Sequence, residues 1–378
     1  MNSSKIKVII AGIRPKNKQT AAYNRYLATE KILRALYKCT VVMPNRLNKR
    51  SRITTGVIAR FHLLKALSLI LLKVDNKKYN HIIFLKYTDP FLCLAIWLLA
   101  QFKGVKLAIE RNEFPAVFIN KQSNPIKLFL YKYCVLSWHY RLIDVLFLMT
   151  DELINFYSRY TKNNCIIQKF PMTVDFSRFK VEKQSLKNSY IFYAGSLSEQ
   201  KDGVESLIHA FKKIINIDPQ INLKIAGGTN DGMQGKRLHD LIKEAALEDR
   251  VELLGIISRD EIPGYLCAAT MVVLPRPDSM QARGGFPTKL GEYLAAGRPV
   301  IVTRVGEIPK YLSDNEVFFI SPDNIIGELS EKIQYVLSNY NEALQVAERG
   351  KGVAFKKFSL ETNQKVFRAA FEKLFSRY

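Results

Sequence analysis

Short runs of β-branched and aliphatic residues alternate with amphipathic segments along most of the chain. In the first half, the amphipathic segments between these runs predict helices near 20–37, 57–74, 90–102, 123–140 and 150–159. After Gly203, an apolar stripe that begins at Val204 and Leu207 predicts another helix. This alternation favours parallel sheets built from βαβ units. The runs predict strands at 5–12, 40–44, 80–86, 105–110, 143–149, 164–170, 190–195, 222–227, 251–255, 271–275, 299–303 and 316–320.

The periodicity breaks after Pro171, and the same order of elements then begins again. The pattern therefore predicts an α/β protein of two Rossmann-like, doubly wound domains that face each other across a cleft, with the ligand at the carboxyl ends of the strands. We expect an N-terminal domain at 1–170 and a C-terminal domain at 171–357. The amphipathic segment 358–378 predicts a final helix that can cross back to the N-terminal domain.

The composition excludes several protein classes. Apolar residues make up 48% of the 378 residues and charged residues 24%, as in globular proteins. The longest apolar run, 91–100, is well short of the roughly 18 residues that span a membrane. The N-terminus lacks the pattern of a signal peptide. Five singly placed cysteines, without zinc-like spacing, predict reduced cytosolic thiols and no metal site.

The positive charge is concentrated in the first half. Residues 1–170 hold 29 Lys and Arg against 8 Asp and Glu, whereas residues 171–378 hold 28 against 26. Such a concentration of positive charge predicts a polyanionic partner: nucleic acid, anionic lipid or a phosphorylated substrate. No nucleic-acid-binding motif accompanies the charge, so nucleic acid is not expected.

Two neighbouring basic segments indicate where an anionic membrane surface would bind. The loop 44–52 is followed by the apolar and basic segment 59–73, which is typical of membrane-surface binding. The alternative for 59–73 is a core helix with solvated lysines. We expect a cytoplasmic protein, peripheral on the inner face of the plasma membrane. The basic residues of the two segments are Arg46, Lys49, Arg50, Arg52, Arg60, Lys65 and Lys73.

The segment 283–303 contains the residues expected to bind a nucleotide diphosphate. Gly284 and Gly285 permit close backbone approach ahead of a helix predicted to begin at Thr288 and to end at Gly297. That helix offers free N–H groups, and Lys289 adds a cation in its first turn. Glu292, on the same face as Thr288, suits the vicinal hydroxyls of a ribose. The alternative is a helix cap with a surface glutamate.

Four segments of the second half also occur in a characteristic order: YAGSLSEQKDGVESLIHAF (193–211), LKIAGGTNDG (223–232), RVELLGIISRDEIPGYLCAATMVVLP (250–275) and GFPTKLGEYLAAGRPVIVT (285–303). Together they resemble the C-terminal domain of retaining glycosyltransferases of family 4, which have the GT-B fold. The linker PMTVDFSRF (171–179) resembles the Val-Asp-x-x-x-Phe segment of that family.

The resemblance implies a donor site with named residues. Glu292 would hold the nucleotide ribose, Lys201 would reach the donor diphosphate, and Gly227 and Gly228 would lie beneath the base or ribose. It implies no required metal ion. The chain departs from the family pattern at three places: Gly284 replaces a frequent Glu, Pro287 a Gly, and Ser196 an Arg. The other donor-binding candidates are Gly195, Ser196, Gly284, Gly285, Phe286, Thr288 and Lys289.

In the first half, Arg111, Asn112 and Glu113 follow the fourth predicted strand and are the catalytic candidates. Glu113 is placed to accept a proton from an acceptor hydroxyl or to orient the donor sugar; alternatively, it is a loop residue that caps the next helix. The basic loop 11–26 holds Arg14, Lys16 and Lys18, which either attract phosphates or are solvated.

The sequence thus predicts a retaining glycosyltransferase of polysaccharide biosynthesis. It would move a sugar from a nucleotide-diphosphate sugar to a hydroxyl of a lipid-linked or growing cell-surface glycan, without a metal cofactor. Two alternatives remain open: a nucleotide-sugar epimerase of GT-B architecture, and a catalytically inactive membrane-associated scaffold.

Overall fold

The computed structural model describes residues 5–12, 21–42, 52–75, 78–86, 89–119, 124–180, 189–228 and 233–376. The chain divides into two compact units. Unit 1 comprises Met1–Pro171 and Leu360–Tyr378, and unit 2 comprises Met172–Ser359. The predicted loop cations Arg14, Lys16, Lys18, Arg46, Lys49 and Arg50 lie outside the described residues.

Unit 1 contains a six-stranded parallel sheet in the order β2-β1-β3-β4-β5-β6. Each strand coincides with a predicted apolar run. The strands are β1 (Ile6–Ala11), β2 (Lys38–Val42), β3 (Asn80–Leu85), β4 (Lys106–Arg111), β5 (Val145–Leu148) and β6 (Ile166–Lys169). Their helices are α1 (Ala21–Leu36), α2 (Arg52–Leu72), α3 (Pro90–Gln101), α4 (Ala116–Ile119), α5 (Pro125–Tyr131), α6 (Ser137–His139) and α7 (Asp151–Tyr157).

The helix predicted at 123–140 is interrupted. Asn124 caps α5 by accepting a hydrogen bond from the Ile126 amide, and Pro125 occupies its first turn. A π-helical turn, Lys132–Leu136, then separates α5 from α6. Such a turn shifts the helix register, which sequence periodicity does not reveal.

Unit 2 contains a second six-stranded parallel sheet, in the order β12-β11-β10-β7-β8-β9. Its strands also coincide with predicted runs: β7 (Tyr190–Ser196), β8 (Asn222–Gly228), β9 (Val251–Gly255), β10 (Met271–Leu274), β11 (Val300–Thr303) and β12 (Phe318–Ile320). Its helices are α8 (Glu199–Asp202), α9 (Val204–Ile214), α10 (Met233–Glu244), α11 (Ile262–Ala268), α12 (Met280–Gly284), α13 (Thr288–Ala295), α14 (Ile325–Ser338) and α15 (Tyr340–Phe358).

The last described helix, α16 (Leu360–Phe375), belongs to the core of unit 1. The Phe367 ring stacks on Phe147 of β5 with centroids 4.3 Å apart, and it contacts Phe84 of β3 and Phe170. Phe371 packs against Tyr37 and the same Phe147. The helix therefore covers strands that precede unit 2 in the chain.

Each sheet reverses its strand order at one point, between β1 and β3 in unit 1 and between β7 and β10 in unit 2. In open parallel sheets, ligands bind at the carboxyl ends of the strands beside such a point. The two reversal points are therefore where functional side chains are expected. Within the described residues, every helix is too short or too polar to cross a bilayer.

Candidate functional site

Three glycines and a serine meet at the carboxyl ends of β7 and β8. Gly195 lies opposite Gly227, and Ser196 lies opposite Gly228. A Cβ at Gly227 would overlap the Gly195 carbonyl oxygen, and one at Gly228 would overlap the Ile256 side chain. The four predicted donor residues are thus brought together, and glycine is what allows the two strand ends to approach.

Helix α13 begins at Thr288, directly after Pro287, and two of its side chains attach it to β7. The Tyr293 hydroxyl donates to the Ala194 carbonyl at 3.0 Å and accepts from the Ala194 amide at 2.9 Å. Lys289, one turn earlier on the same face, reaches the end of β7. The N-terminus of α13 is therefore held against the glycine-rich strand ends, and Gly297 follows it with a φ of +66°.

Lys289 forms an ion pair with Asp202, which the sequence analysis did not anticipate. The Lys289 Nζ lies 2.8 Å from Asp202 Oδ2 and donates to the Tyr193 hydroxyl at 3.1 Å. Burial lowers the pKa of Lys289. Burial alone would raise the pKa of Asp202, but the Lys289 ammonium holds it below its usual range. Lys289 therefore positions α13, and its charge is balanced by Asp202.

Lys201 also supplies a positive charge at the point where the strand order of unit 2 reverses. It lies in α8, beside the buried Asp202, and its side chain is partly exposed. No residue in the described part of unit 2 forms an ion pair with it. Gly203 ends α8 with a φ of +71°, and a Cβ there would overlap the Pro275 carbonyl oxygen that follows β10. This close approach packs the end of α8, two residues after Lys201, against the residue that follows β10.

Glu292, the predicted ribose ligand, is paired with an arginine from the linker segment. Arg178 donates through Nη1 to Glu292 Oε1 and through Nη2 to the Arg259 carbonyl oxygen. The side chains of Arg178 and Glu292 are 12% and 19% exposed. Since no described residue donates to Glu292 Oε2, that oxygen is available to a ligand hydroxyl.

In the segment 284–286, which precedes α13, the two glycines supply only backbone and Phe286 supplies a side chain to the core. Gly284 ends α12 and is buried, and Gly285 is extended. The Phe286 ring is 2% exposed and stacks on Tyr311 with centroids 5.3 Å apart. Phe286 is thus a core side chain.

In unit 1, the three catalytic candidates follow one another at the end of β4 but differ in environment. Arg111 donates through Nε to the Tyr140 hydroxyl at 2.8 Å. The Asn112 Oδ1 atom is buried and has no hydrogen-bond partner among the described residues. The Glu113 side chain is exposed, and its carbonyl oxygen accepts from the Tyr157 hydroxyl at 3.2 Å. Arg111 is therefore held in place, whereas Asn112 and Glu113 keep unused polar groups.

A buried cluster of charged side chains lies at the reversal point of unit 1, and the sequence pattern did not predict it. Glu110 accepts from Arg25 Nε and, at 3.1 Å, from Lys86 Nζ, and these side chains are 4–7% exposed. Burial would raise the pKa of Glu110, but Arg25 and Lys86 lower it to about 2. Arg25 also donates to the carbonyl oxygens of Phe170 and Pro171. This cluster connects α1, β3 and β4 to Phe170 and Pro171, where the first chain segment of unit 1 ends.

Across the described ranges, no group of three or more His, Cys, Asp or Glu side chains is arranged to hold a metal ion. His139 is fully buried, and burial lowers its pKa to about 3, so its ring is neutral. The free cysteines of the described residues are Cys39, Cys93, Cys134, Cys165 and Cys267.

The second half of the chain is similar to a described group of proteins. Residues 175–353 match the family model of glycosyl transferases group 1. An uncharacterized glycosyltransferase of Methanocaldococcus jannaschii is 30% identical over 198 residues, 51% of this chain and 52% of that protein. A lipopolysaccharide 1,2-N-acetylglucosaminetransferase of Salmonella typhimurium is 26% identical over 182 residues, 45% of each protein. The chain thus spans about half the length of the curated relatives it matches.

Solved structures match the whole chain. Sucrose-phosphate synthase of Thermosynechococcus elongatus superposes with a TM-score of 0.71 at 17% identity, covering 99% of this chain and 100% of that one. Anabaena HepE in complex with UDP superposes with a TM-score of 0.70 at 15% identity, covering 97% and 99%. At such identities the likeness concerns the fold alone. The chain has the two-domain α/β GT-B fold, which confirms the predicted fold class.

Proposed function

We propose that the protein is a glycosyltransferase that binds a nucleotide-sugar donor on unit 2. The observation that supports this most directly is a grouping at one sheet edge. It comprises the three glycines and the serine at the ends of β7 and β8, Lys201, the N-terminus of α13 and Glu292. This edge lies within residues 175–353, which match group 1 glycosyl transferases. In addition, a structural neighbour, Anabaena HepE, was solved with UDP.

Each group at this edge has a role in the proposed reaction. Glu292 Oε2 accepts a ribose hydroxyl, which fixes the nucleotide relative to α13. The N-terminus of α13, through its Thr288 and Lys289 amides, and the Lys201 ammonium stabilise the charge that develops on the leaving diphosphate. Because Lys201 supplies a positive charge at that place, we propose transfer without a metal cofactor. Gly195, Ser196, Gly227 and Gly228 leave room for the nucleotide at the strand ends.

We further propose retention of anomeric configuration. The acceptor hydroxyl attacks from the face that the diphosphate leaves, and the leaving phosphate oxygen takes the hydroxyl proton as the new glycosidic bond forms. In unit 1, Asn112 Oδ1 has no partner among the described residues and the Glu113 carboxylate is exposed. We propose that both orient the acceptor and that Arg111 positions the turn that carries them.

The proposed acceptor is a lipid-linked or growing cell-surface glycan at the inner face of the plasma membrane. Two observations support it. The Salmonella relative acts, by its name, on lipopolysaccharide. All of the net charge lies in unit 1, which has 33 Lys and Arg against 10 Asp and Glu, whereas unit 2 has 24 of each. A cationic unit attracts both phosphorylated lipid carriers and anionic headgroups.

A thermal-shift panel tests the donor site. The protein is melted with UDP, GDP, ADP or CMP, and with their common sugar conjugates, in the presence of EDTA. A nucleotide at 100 times its dissociation constant adds about 2.7 kcal/mol to the stability of the state that binds it, which raises the melting temperature by several degrees. We expect one base to produce this shift, and the Lys201→Ala variant to lose most of it.

Two results would contradict the proposal. An absence of any shift at saturating concentration would favour the inactive scaffold. Conversion of a nucleotide sugar into its epimer, without an acceptor, would favour the epimerase. Transfer of a labelled sugar to glycolipid extracts, with the anomeric product identified by NMR, then tests retention and the acceptor class.

A further inference from the structure

Unit 1 exposes an unusual amount of apolar surface on three helices. Sixteen large apolar side chains are strongly exposed in the described residues, and ten of them lie between residues 61 and 133, on α2, α3, α5 and the turns that follow. Single exposed apolar residues are normal on a protein surface, but a concentration of this size marks an interaction site.

Helix α3 shows the feature most clearly, because none of its residues from Pro90 to Gln101 is charged. One face is buried through Leu92 and Ile96. On the other face, Phe91 is 73% exposed, and Phe102, directly after the helix, is 85% exposed. A surface helix of a soluble protein normally places charged residues on its outer face.

Helix α5 and the π-helical turn repeat this arrangement. Ile126, Phe129 and Tyr133 follow one another at helical spacing and are 67%, 60% and 54% exposed. The Phe129 and Tyr133 rings lie 4.5 Å apart, so they form one aromatic surface.

These faces are connected through contacts in unit 1. The Phe91 ring lies 6.3 Å from the Trp138 ring, and the Trp138 indole donates to the Cys134 carbonyl oxygen next to Tyr133. On the other side of α3, Arg60 of α2 pairs with Asp89, the N-cap of α3, at 2.9 Å. We call the exposed faces of α2, α3, α5 and the π-helical turn the apolar helix surface.

The charge around the apolar helix surface identifies its partner. Residues 52–141 contain 14 Lys and Arg against 4 Asp and Glu. Within this range, Glu110 is paired with the buried Lys86 and Asp89 is paired with Arg60, whereas the acids Asp75 and Glu113 are exposed. Outside these two pairs, 12 cations face two acids. Lys65 and Lys132 are exposed among the apolar residues. Aromatic and aliphatic side chains surrounded by cations match a bilayer whose headgroups are anionic.

We infer that the apolar helix surface inserts shallowly into an anionic lipid bilayer. It extends the membrane surface predicted from the segments 44–52 and 59–73 to α3 and α5. Helix α2 packs into the core through Leu63, Leu67 and Leu71. It also exposes Phe61 and Leu72, so it contributes to both the core and the apolar helix surface. The inference rests on the proposed function only for its membrane location and needs no catalytic activity.

Vesicle co-sedimentation tests the inference with the full chain. Vesicles of phosphatidylcholine alone are compared with equimolar phosphatidylcholine and phosphatidylglycerol, at low and high salt. We expect binding to the anionic vesicles, weakened by salt because lysine contacts are screened. The Phe102→Ser/Phe129→Ser variant should bind about tenfold more weakly, since two aromatic side chains no longer leave water. The matched control, Ile217→Ser/Met233→Ser, removes similarly exposed side chains from unit 2 and should change binding less than about twofold.

Three outcomes would overturn the inference: equal binding to neutral vesicles, no binding to either kind, or wild-type binding by Phe102→Ser/Phe129→Ser. Light scattering is measured in parallel, and a dimer that this variant dissociates would assign the surface to a second copy of the chain. The nucleotide-induced melting shift is recorded for every variant. A shift without vesicle binding refutes only the membrane surface, and vesicle binding without a shift refutes only the donor site.

Discussion

Arg178 and Glu292 lie 114 residues apart in the chain and form an ion pair that occupies only one carboxylate oxygen. The Arg259 carbonyl oxygen accepts from the other Nη atom of Arg178 and so fixes the guanidinium. Glu292 is thereby oriented, and its Oε2 accepts no hydrogen bond from a described residue. This relationship links the linker segment to the proposed ribose contact on α13.

Replacing Glu292 by Ala should weaken nucleotide binding by about 1–3 kcal/mol, the range for losing hydrogen bonds to a charged group. Isothermal titration with the nucleotide identified by the thermal-shift panel measures this. A 2′,3′-dideoxynucleotide, which lacks the hydroxyls that Glu292 is proposed to bind, should bind the variant and the wild type alike. Unchanged affinity for the ribonucleotide would refute the role of Glu292.

Arg178→Ala should also weaken ribonucleotide binding, by about 1–2 kcal/mol, because Glu292 loses the partner that orients it. In a double-mutant cycle, adding Arg178→Ala to Glu292→Ala should have little further effect on affinity. As a control, Lys201→Ala should weaken the ribonucleotide and the dideoxynucleotide equally, since its proposed partner is the diphosphate. Additive losses in the Arg178 and Glu292 cycle would show that Arg178 acts independently of Glu292.

Gly195→Ala should destabilise the protein by about 1–3 kcal/mol. The new Cβ would overlap Lys289 Nζ and the Tyr193 hydroxyl, and moving the lysine leaves the buried Asp202 without its counter-ion. Urea unfolding measures the loss. The control is Gly264→Ala in α11, where no atom lies within 4 Å of the new Cβ. That variant should be neutral or slightly more stable, because alanine favours a helix. Equal stability of the two variants would contradict this account of the contact.

The buried cluster of unit 1 predicts a defined acid sensitivity. Since the folded-state pKa of Glu110 is depressed to about 2 from an ordinary 4.5, the ionised carboxylate stabilises the fold above pH 4.5. This contribution, of order 3 kcal/mol for a shift of this size, is lost as the pH falls from 4.5 toward 2. Denaturant unfolding between pH 6 and about 3 should show a steeper loss for wild type than for Glu110→Gln.

At neutral pH, Glu110→Gln should itself be destabilised by about 3–5 kcal/mol, because Arg25 and Lys86 stay buried without a counter-charge. Glu113→Gln, at an exposed carboxylate of the same strand end, is the matched control and should keep the stability of the wild type. Parallel pH profiles of wild type and Glu110→Gln would show that the cluster does not set the acid sensitivity.

The fold was largely predictable because parallel strands buried on both faces appear as continuous apolar runs. All twelve predicted runs coincide with strands of the two sheets. The glycines at the ends of β7 and β8, the start of α13 at Thr288 and the turn at Gly297 were also predictable, since local backbone demands select those residues.

The charged partners were not predictable from local pattern. Arg25 and Glu110 are 85 residues apart, and Lys289 and Asp202 are 87 apart. Such pairs depend on sheet order and helix placement, neither of which is encoded in spacing along the chain. The basic character of the first half was correctly recognised, yet the apolar face of α3 was not distinguished from a buried helix, because hydrophobicity alone does not tell which side is covered.

The position of α16 has a consequence for the order in which the protein matures on the ribosome. The helix that covers β3 and β5 of unit 1 is synthesised only after the whole of unit 2. At typical elongation rates, the sheet of unit 1 therefore waits about 10–40 s with Phe84 and Phe147 uncovered. Unit 2, whose residues are contiguous, can close during that interval. A chain truncated after Ser359 would thus present a finished second unit and an aggregation-prone first one.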